Sequence, residues 1–205
     1  MKSLPTEKPI LFNGPMVRAI LDGRKTMTRR VIKTKAFLEW VAAGFSDEFT
    51  KNPDNLWAES SPYRPGMKLW VRETWAIHQP GSLKPETLPT FEYETYTREG
   101  QAGLEKGYDL LYRATAKIDP DFPVRWRPSI FMPRWASRIT LEVTGVKVER
   151  LREISNEDIR KEGATVLGCV THRLNFEQLW DSINSKTYPW SSNPFVWVIE
   201  FRRLI

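Results

Sequence analysis

Between Gly23 and Arg30 the chain reads Gly-Arg-Lys-Thr-Met-Thr-Arg-Arg, with four cations and two threonine hydroxyls in eight residues. Lysine, arginine and hydroxyl donors at that density suit a phosphate, a carboxylate or an acyl group. The amphipathic run Val17 to Asp22 reads as a helix, Gly23 takes the place of its terminating residue, and Val31-Ile32 is strand-like. An octet between a helix end and a strand start holds its side chains firmly at the edge of a cleft. The same residues also read as a solvated basic strand whose cations complement the helix dipole.

Two further stretches carry chemistry. Ser155 to Gly163 reads as a short helix, with Ser155 as N-cap and Asp158 and Glu162 on one face. Glu162 falls in the last turn, where the helix dipole disfavours a carboxylate, and a nearby lysine would compensate. Glu157 and Lys161 are spaced for an exposed ion pair, and a solvated helix of mixed charge is the alternative reading. In the second stretch, Val124 to Pro128 and Met132 to Arg138, arginines alternate with tryptophans. Such a loop can stack on bases while neutralising phosphates. Packing of Trp126 and Trp135 into the core is the favoured alternative.

Other chemistries have little to work with. Cys169 is the only cysteine and His78 and His172 the only histidines, so neither a disulfide, a complete zinc site nor a Ser-His-Asp triad is expected. No metal or cofactor is expected. Lys and Arg number 31 against 25 Asp and Glu, a mild excess that favours polyanions without demanding them. With no leader-like N-terminus and no long apolar run, the expectation is a cytoplasmic chain with no membrane partner.

The elements that must position these residues follow from periodicity. Strands are expected over Lys8–Phe12, Thr26–Ile32, Lys68–Trp75, Tyr108–Ala116, Arg138–Arg150 and Phe195–Arg203, with a bend or hairpin near Gly145. Helices are expected over Pro15–Leu21, Ala36–Ala43, Ser155–Lys161 and Leu174–Ile183, the last with Phe176, Leu179, Trp180 and Ile183 on one stripe. Residues 51–65 read as loop and 79–107 as a long surface insertion. The mixture predicts an α+β fold. In a regular strand Thr26, Thr28 and Arg30 share one face while Lys25 and Met27 share the other, so Lys25 reaches Thr28 only if the strand begins after it.

The octet resembles the signature of the ASCH domains, a branch of the PUA-like superfamily, at Gly23, Lys25, Thr28 and Arg30. Three more blocks are similar to the longer, phage-type members: Pro65 to Trp75, Ser129 to Leu141 and Asn193 to Phe201. The resemblance implies a single domain over 1–205, a mixed PUA-like β-barrel with inserted segments at roughly 34–66 and 76–137. Some small ASCH proteins are amidohydrolases that remove the acetyl group from N4-acetylcytidine. Carried over, the resemblance implies catalytic Lys25, Thr28 and Glu162, with Gly23, Arg24, Thr26, Arg30, Arg134 and Arg138 binding a nucleoside or single-stranded RNA. A non-catalytic RNA-binding module or a ribonuclease using the same basic cleft is the competing implication. Oligomeric state is not legible from the sequence.

Overall fold

The computed structural model describes residues 6–52, 61–78, 109–116, 124–164 and 172–204. It is α+β, as the periodicity predicts. In chain order the elements are β1 (Glu7–Leu11), α1 (Gly14–Leu21), β2 (Met27–Val31), α2 (Lys35–Ala42), α3 (Asp47–Lys51) and β3 (Lys68–Arg72). Then come β4 (Trp75–His78), β5 (Asp109–Tyr112), β6 (Thr140–Arg150), α4 (Asn156–Lys161), α5 (His172–Asn184) and β7 (Phe195–Leu204). Five strands form one sheet in the order β1–β3–β6–β7–β2, and β4 pairs with β5 in a second sheet.

The chain divides into two compact units. One comprises Met1–Lys8, Ala19–Leu69 and Leu141–Ile205, the other Pro9–Arg18 and Trp70–Thr140. In the first, β7 is buried on both faces. Val196 and Val198 join Met27, Leu151, Ile154, Ile159, Phe176 and Trp180 in one apolar cluster. On the other face Phe37 of α2 packs edge-on to Phe195 with ring centroids 5.4 Å apart and lies 6.2 Å from Trp197. The second unit is centred on Trp75, Tyr112, Met132 and Ala136, with Trp135 standing at 89° to the Trp75 ring.

Several elements depart from the periodicity. The expected strand Lys68–Trp75 is two strands, interrupted at Glu73-Thr74. A buried carboxylate causes the break: Glu73 receives two hydrogen bonds from Arg138, and its main-chain N–H is turned to the Met132 sulfur. Helix α3 forms just before the expected loop, because Ser46 caps it by accepting from the Phe49 amide at 3.1 Å. β6 runs 11 residues without a break, and Gly145 there leaves room for the Glu200 carboxylate, 3.1 Å from where a Cβ would stand. In α5, Phe176 and Trp180 are buried, but Ile183 is exposed near the helix end. Among the described residues no helix is long and apolar enough to cross a membrane.

Candidate active site

The octet begins where α1 stops. Asn13 opens this helix by accepting from the Met16 amide at 3.0 Å, and Gly23 closes it at φ 72°, a left-handed conformation that favours glycine. The Ala19 carbonyl then accepts from both Arg24 and Lys25 amides, each at 2.9 Å. Those bonds fix the direction in which Lys25 leaves the helix. Lys25 itself forms an isolated antiparallel bridge with Glu162, ahead of the regular pairing of β2.

β2 pairs with β7 from Met27↔Glu200 to Val31↔Val196. The Thr26 carbonyl accepts from the Phe201 amide and the Ile32 amide donates to the Phe195 carbonyl. The even residues of β2 therefore bond to β7, and Met27 and Arg29 direct their main-chain groups toward the free edge. Side chains alternate as well. Thr28 and Arg30 share the face of Ile199 and Trp197, whereas Met27, Arg29 and Val31 share the face of Val196 and Val198.

Lys25 and Glu162 meet in the interior. The lysine ammonium donates to Glu162 Oε2 at 2.6 Å, to the Glu162 carbonyl at 2.8 Å and to the Met27 carbonyl at 2.9 Å. Their side chains are 0% and 4% exposed. Three acceptors match three N–H donors, so this arrangement holds the charged amine. Burial draws Lys25 below the usual lysine range, the Glu162 carboxylate opposes the fall, and Arg30 and Arg29 add to it.

Arg29 extends the network. It donates to Glu162 Oε1 at 3.3 Å, to Asp158 at 2.7 Å and to Glu149 at 3.0 Å, while its Nε has no hydrogen-bond partner among the described residues. Asp158 and Glu162 do share a face of α4, as their spacing predicts, and one guanidinium bridges them. Ser155 caps this helix by accepting from the Asp158 amide at 3.0 Å, and Glu157 and Lys161 form the expected exposed pair at 2.7 Å. Sequence reasoning missed Arg29 and Glu149. The adjacent carboxylates on α4 were the available signal, since buried carboxylates require cations.

The remaining expected site residues fall out differently. Thr28 is buried and its hydroxyl makes no hydrogen bond to a described residue. Arg30 is partly buried, and burial pulls its guanidinium down while Tyr63 and then Glu162 counter the shift. Tyr63, which the sequence did not single out, lies under the Lys8 amine at 4.8 Å from its ring centre, and burial raises its phenol above the usual range. Thr26 is exposed, and Arg24 is exposed on Asp22 at 2.8 Å.

Arg134 and Arg138 belong to the other compact unit. Arg138, which the resemblance implies binds the ligand, does not face solvent. Its guanidinium is 6% exposed, donates twice to the buried Glu73 and lies 4.1 Å from the Tyr112 ring centre. Trp126 and Trp135 are half-buried. Among the described residues no group of three His, Cys, Asp or Glu side chains is placed to hold a metal, and Cys169 lies outside them. Comparison with known protein families, characterised proteins and solved structures finds no match.

Proposed function

We propose that the chain is a PUA-like nucleoside-binding hydrolase that removes the acyl group from an N4-acylated cytidine, using Thr28, Lys25 and Glu162. The observation that carries this reading is the position of the Lys25 amine. It sits at the free edge of β2 on the Met27 carbonyl, the peptide that leads directly into Thr28. The carbonyl that anchors the amine thus belongs to the peptide bonded to the Thr28 nitrogen. The proposed reaction requires the amine to turn from the Met27 carbonyl to the face that carries Thr28 and Arg30.

A buried ion pair contributes little net stability over an apolar pair of the same volume. A buried Lys–Glu contact in this reading serves to handle protons. In the proposed reaction the Lys25 ammonium first passes a proton to Glu162 Oε2 across their 2.6 Å contact. The neutral amine takes the Thr28 hydroxyl proton as Oγ1 bonds to the acyl carbon. The tetrahedral centre collapses, the bond to N4 breaks, and Lys25 returns the proton to the leaving amine. Water then hydrolyses the threonine ester, releasing the acid and restoring Thr28. Arg30, cationic beside this face, stabilises the oxyanion.

The test is acetate release from N4-acetylcytidine. Thr28→Ala and Lys25→Met abolish it in the proposed scheme, and Thr28→Ser retains part of it. No turnover by the parent chain, or full turnover by Thr28→Ala, sinks the reading and leaves non-catalytic binding by the same strand.

A further inference from the structure

We infer that the second unit carries a binding site for single-stranded nucleic acid in the cavity lined by Arg125, Trp126, Arg127, Pro128 and Phe131. One base stacks on Phe131, and flanking phosphates meet Arg125 and Arg127. The site stands whether or not Lys25 and Thr28 perform hydrolysis.

The cavity holds about 380 Å³, within roughly the 300–1,000 Å³ range of small-molecule sites. Two of its five lining residues are cations and none is acidic. Arg125 and Arg127 are exposed. Phe131 is 72% exposed while the next residue, Met132, is fully buried. A large aromatic ring held in water beside two guanidinium groups suits a ligand that is both planar and anionic. A nucleotide unit joins those two properties, whereas an acidic peptide supplies only the charge.

The main chain that carries the ring is also held in place. The Phe131 amide donates to the Pro128 carbonyl at 3.0 Å, and Arg72 donates to the Ile130 carbonyl at 3.1 Å. Arg127 exchanges two main-chain hydrogen bonds with the fully buried Trp75, at 2.7 and 3.2 Å. A platform ordered beforehand loses little freedom when a base settles on it. The arginine-tryptophan alternation pointed to this segment. The stacking residue it exposes most is Phe131, and Arg138 is not part of it.

The experiment is a fluorescence anisotropy titration with labelled twelve-residue oligouridylate and oligodeoxythymidylate over a series of salt concentrations. Binding should weaken as salt rises. Phe131→Ala should weaken it roughly tenfold or more, the effect of removing one stacked base. Arg125→Ala with Arg127→Ala should reduce the salt slope by about 1.4, near 0.7 for each phosphate. Phe131 and Arg125 are exposed, so Phe131→Ala and Arg125→Ala should melt like the parent, whereas Arg127→Ala also removes a guanidinium 5.1 Å from the centre of the buried Trp75 ring. Phe131→Ala should release acetate from N4-acetylcytidine at the parent's rate, which separates this site from the hydrolase reading. Binding of the ribo strand alone assigns RNA, and binding of both assigns single strands generally. No binding of either strand, or parent-like affinity in Phe131→Ala, overturns the proposal.

Discussion

Gly163 stands so close to Lys25 that a Cβ on the glycine would lie 2.9 Å from the lysine Cβ and 2.8 Å from that of Ala19. Its φ is 78°. Backbone conformation and lack of space therefore both require glycine immediately after Glu162. Gly163→Ala should cost about 2 kcal/mol or more, from a left-handed penalty plus overpacking. Gly23→Ala, with nothing within 4 Å of its Cβ position, should cost only the conformational part, about 1 kcal/mol. Denaturant melts of the two variants check the difference, and equal losses would show that the clash relaxes.

Removing one partner of the buried pair leaves a charge without its partner. Lys25→Met should lower stability by about 3–5 kcal/mol, and adding Glu162→Met should recover part of it. Recovery will be incomplete, because Glu162 also receives Arg29. A double-mutant cycle measures the coupling. Purely additive losses would mean the two side chains are independent despite their 2.6 Å contact.

Lys25 also sets a pH dependence. Its folded pKa lies below the ordinary lysine value of 10.5, chiefly through burial. Between the two values the unfolded chain binds more protons, so stability should rise with pH across that window. Below the folded pKa the burial penalty acts in full. Acyl hydrolysis should rise along the same limb, because the neutral amine is the base. Melts of parent and Lys25→Met, with the rate profile of the parent, test this. A profile flat up to the ordinary lysine range contradicts it.

Arg138→Ala should behave as a core lesion. It leaves the Glu73 carboxylate, 2% exposed, without its two guanidinium bonds, at a cost of about 3–5 kcal/mol. Surviving folded protein should keep the parent's salt slope for oligonucleotide binding. A reduced slope with unchanged melting would return Arg138 to the ligand surface.

Much of the local structure was legible because short-range rules governed it. Ser155 as a cap, Gly23 as a helix stop and Phe195 to Arg203 as a strand follow from one residue's neighbours. The spacing of Asp158 and Glu162 likewise showed a shared face. Cation assignment was not legible in the same way. Counting four basic residues in the octet suggests a positive surface, yet Lys25 and Arg29 are taken up by Glu162, Asp158 and Glu149, and Arg24 by Asp22. Those partners lie far away in sequence, except for Asp22. The break at Glu73 was hidden for the same reason, since its cause is Arg138, 65 residues later. Exposure of Phe131 contradicts its hydrophobicity, so no pattern of apolar spacing could reveal it.

The hydrogen bonds between Lys25 and Glu162 span 137 residues of chain. Closing so long a loop is slow, and its entropy is lost before the contact forms. Local helices such as α1 and α4 can arise early, but their junction waits on closure of that loop. A nascent or partly folded chain would then carry every residue of the octet and no assembled site. Any activity that depends on this pair would report complete folding of the unit that holds it.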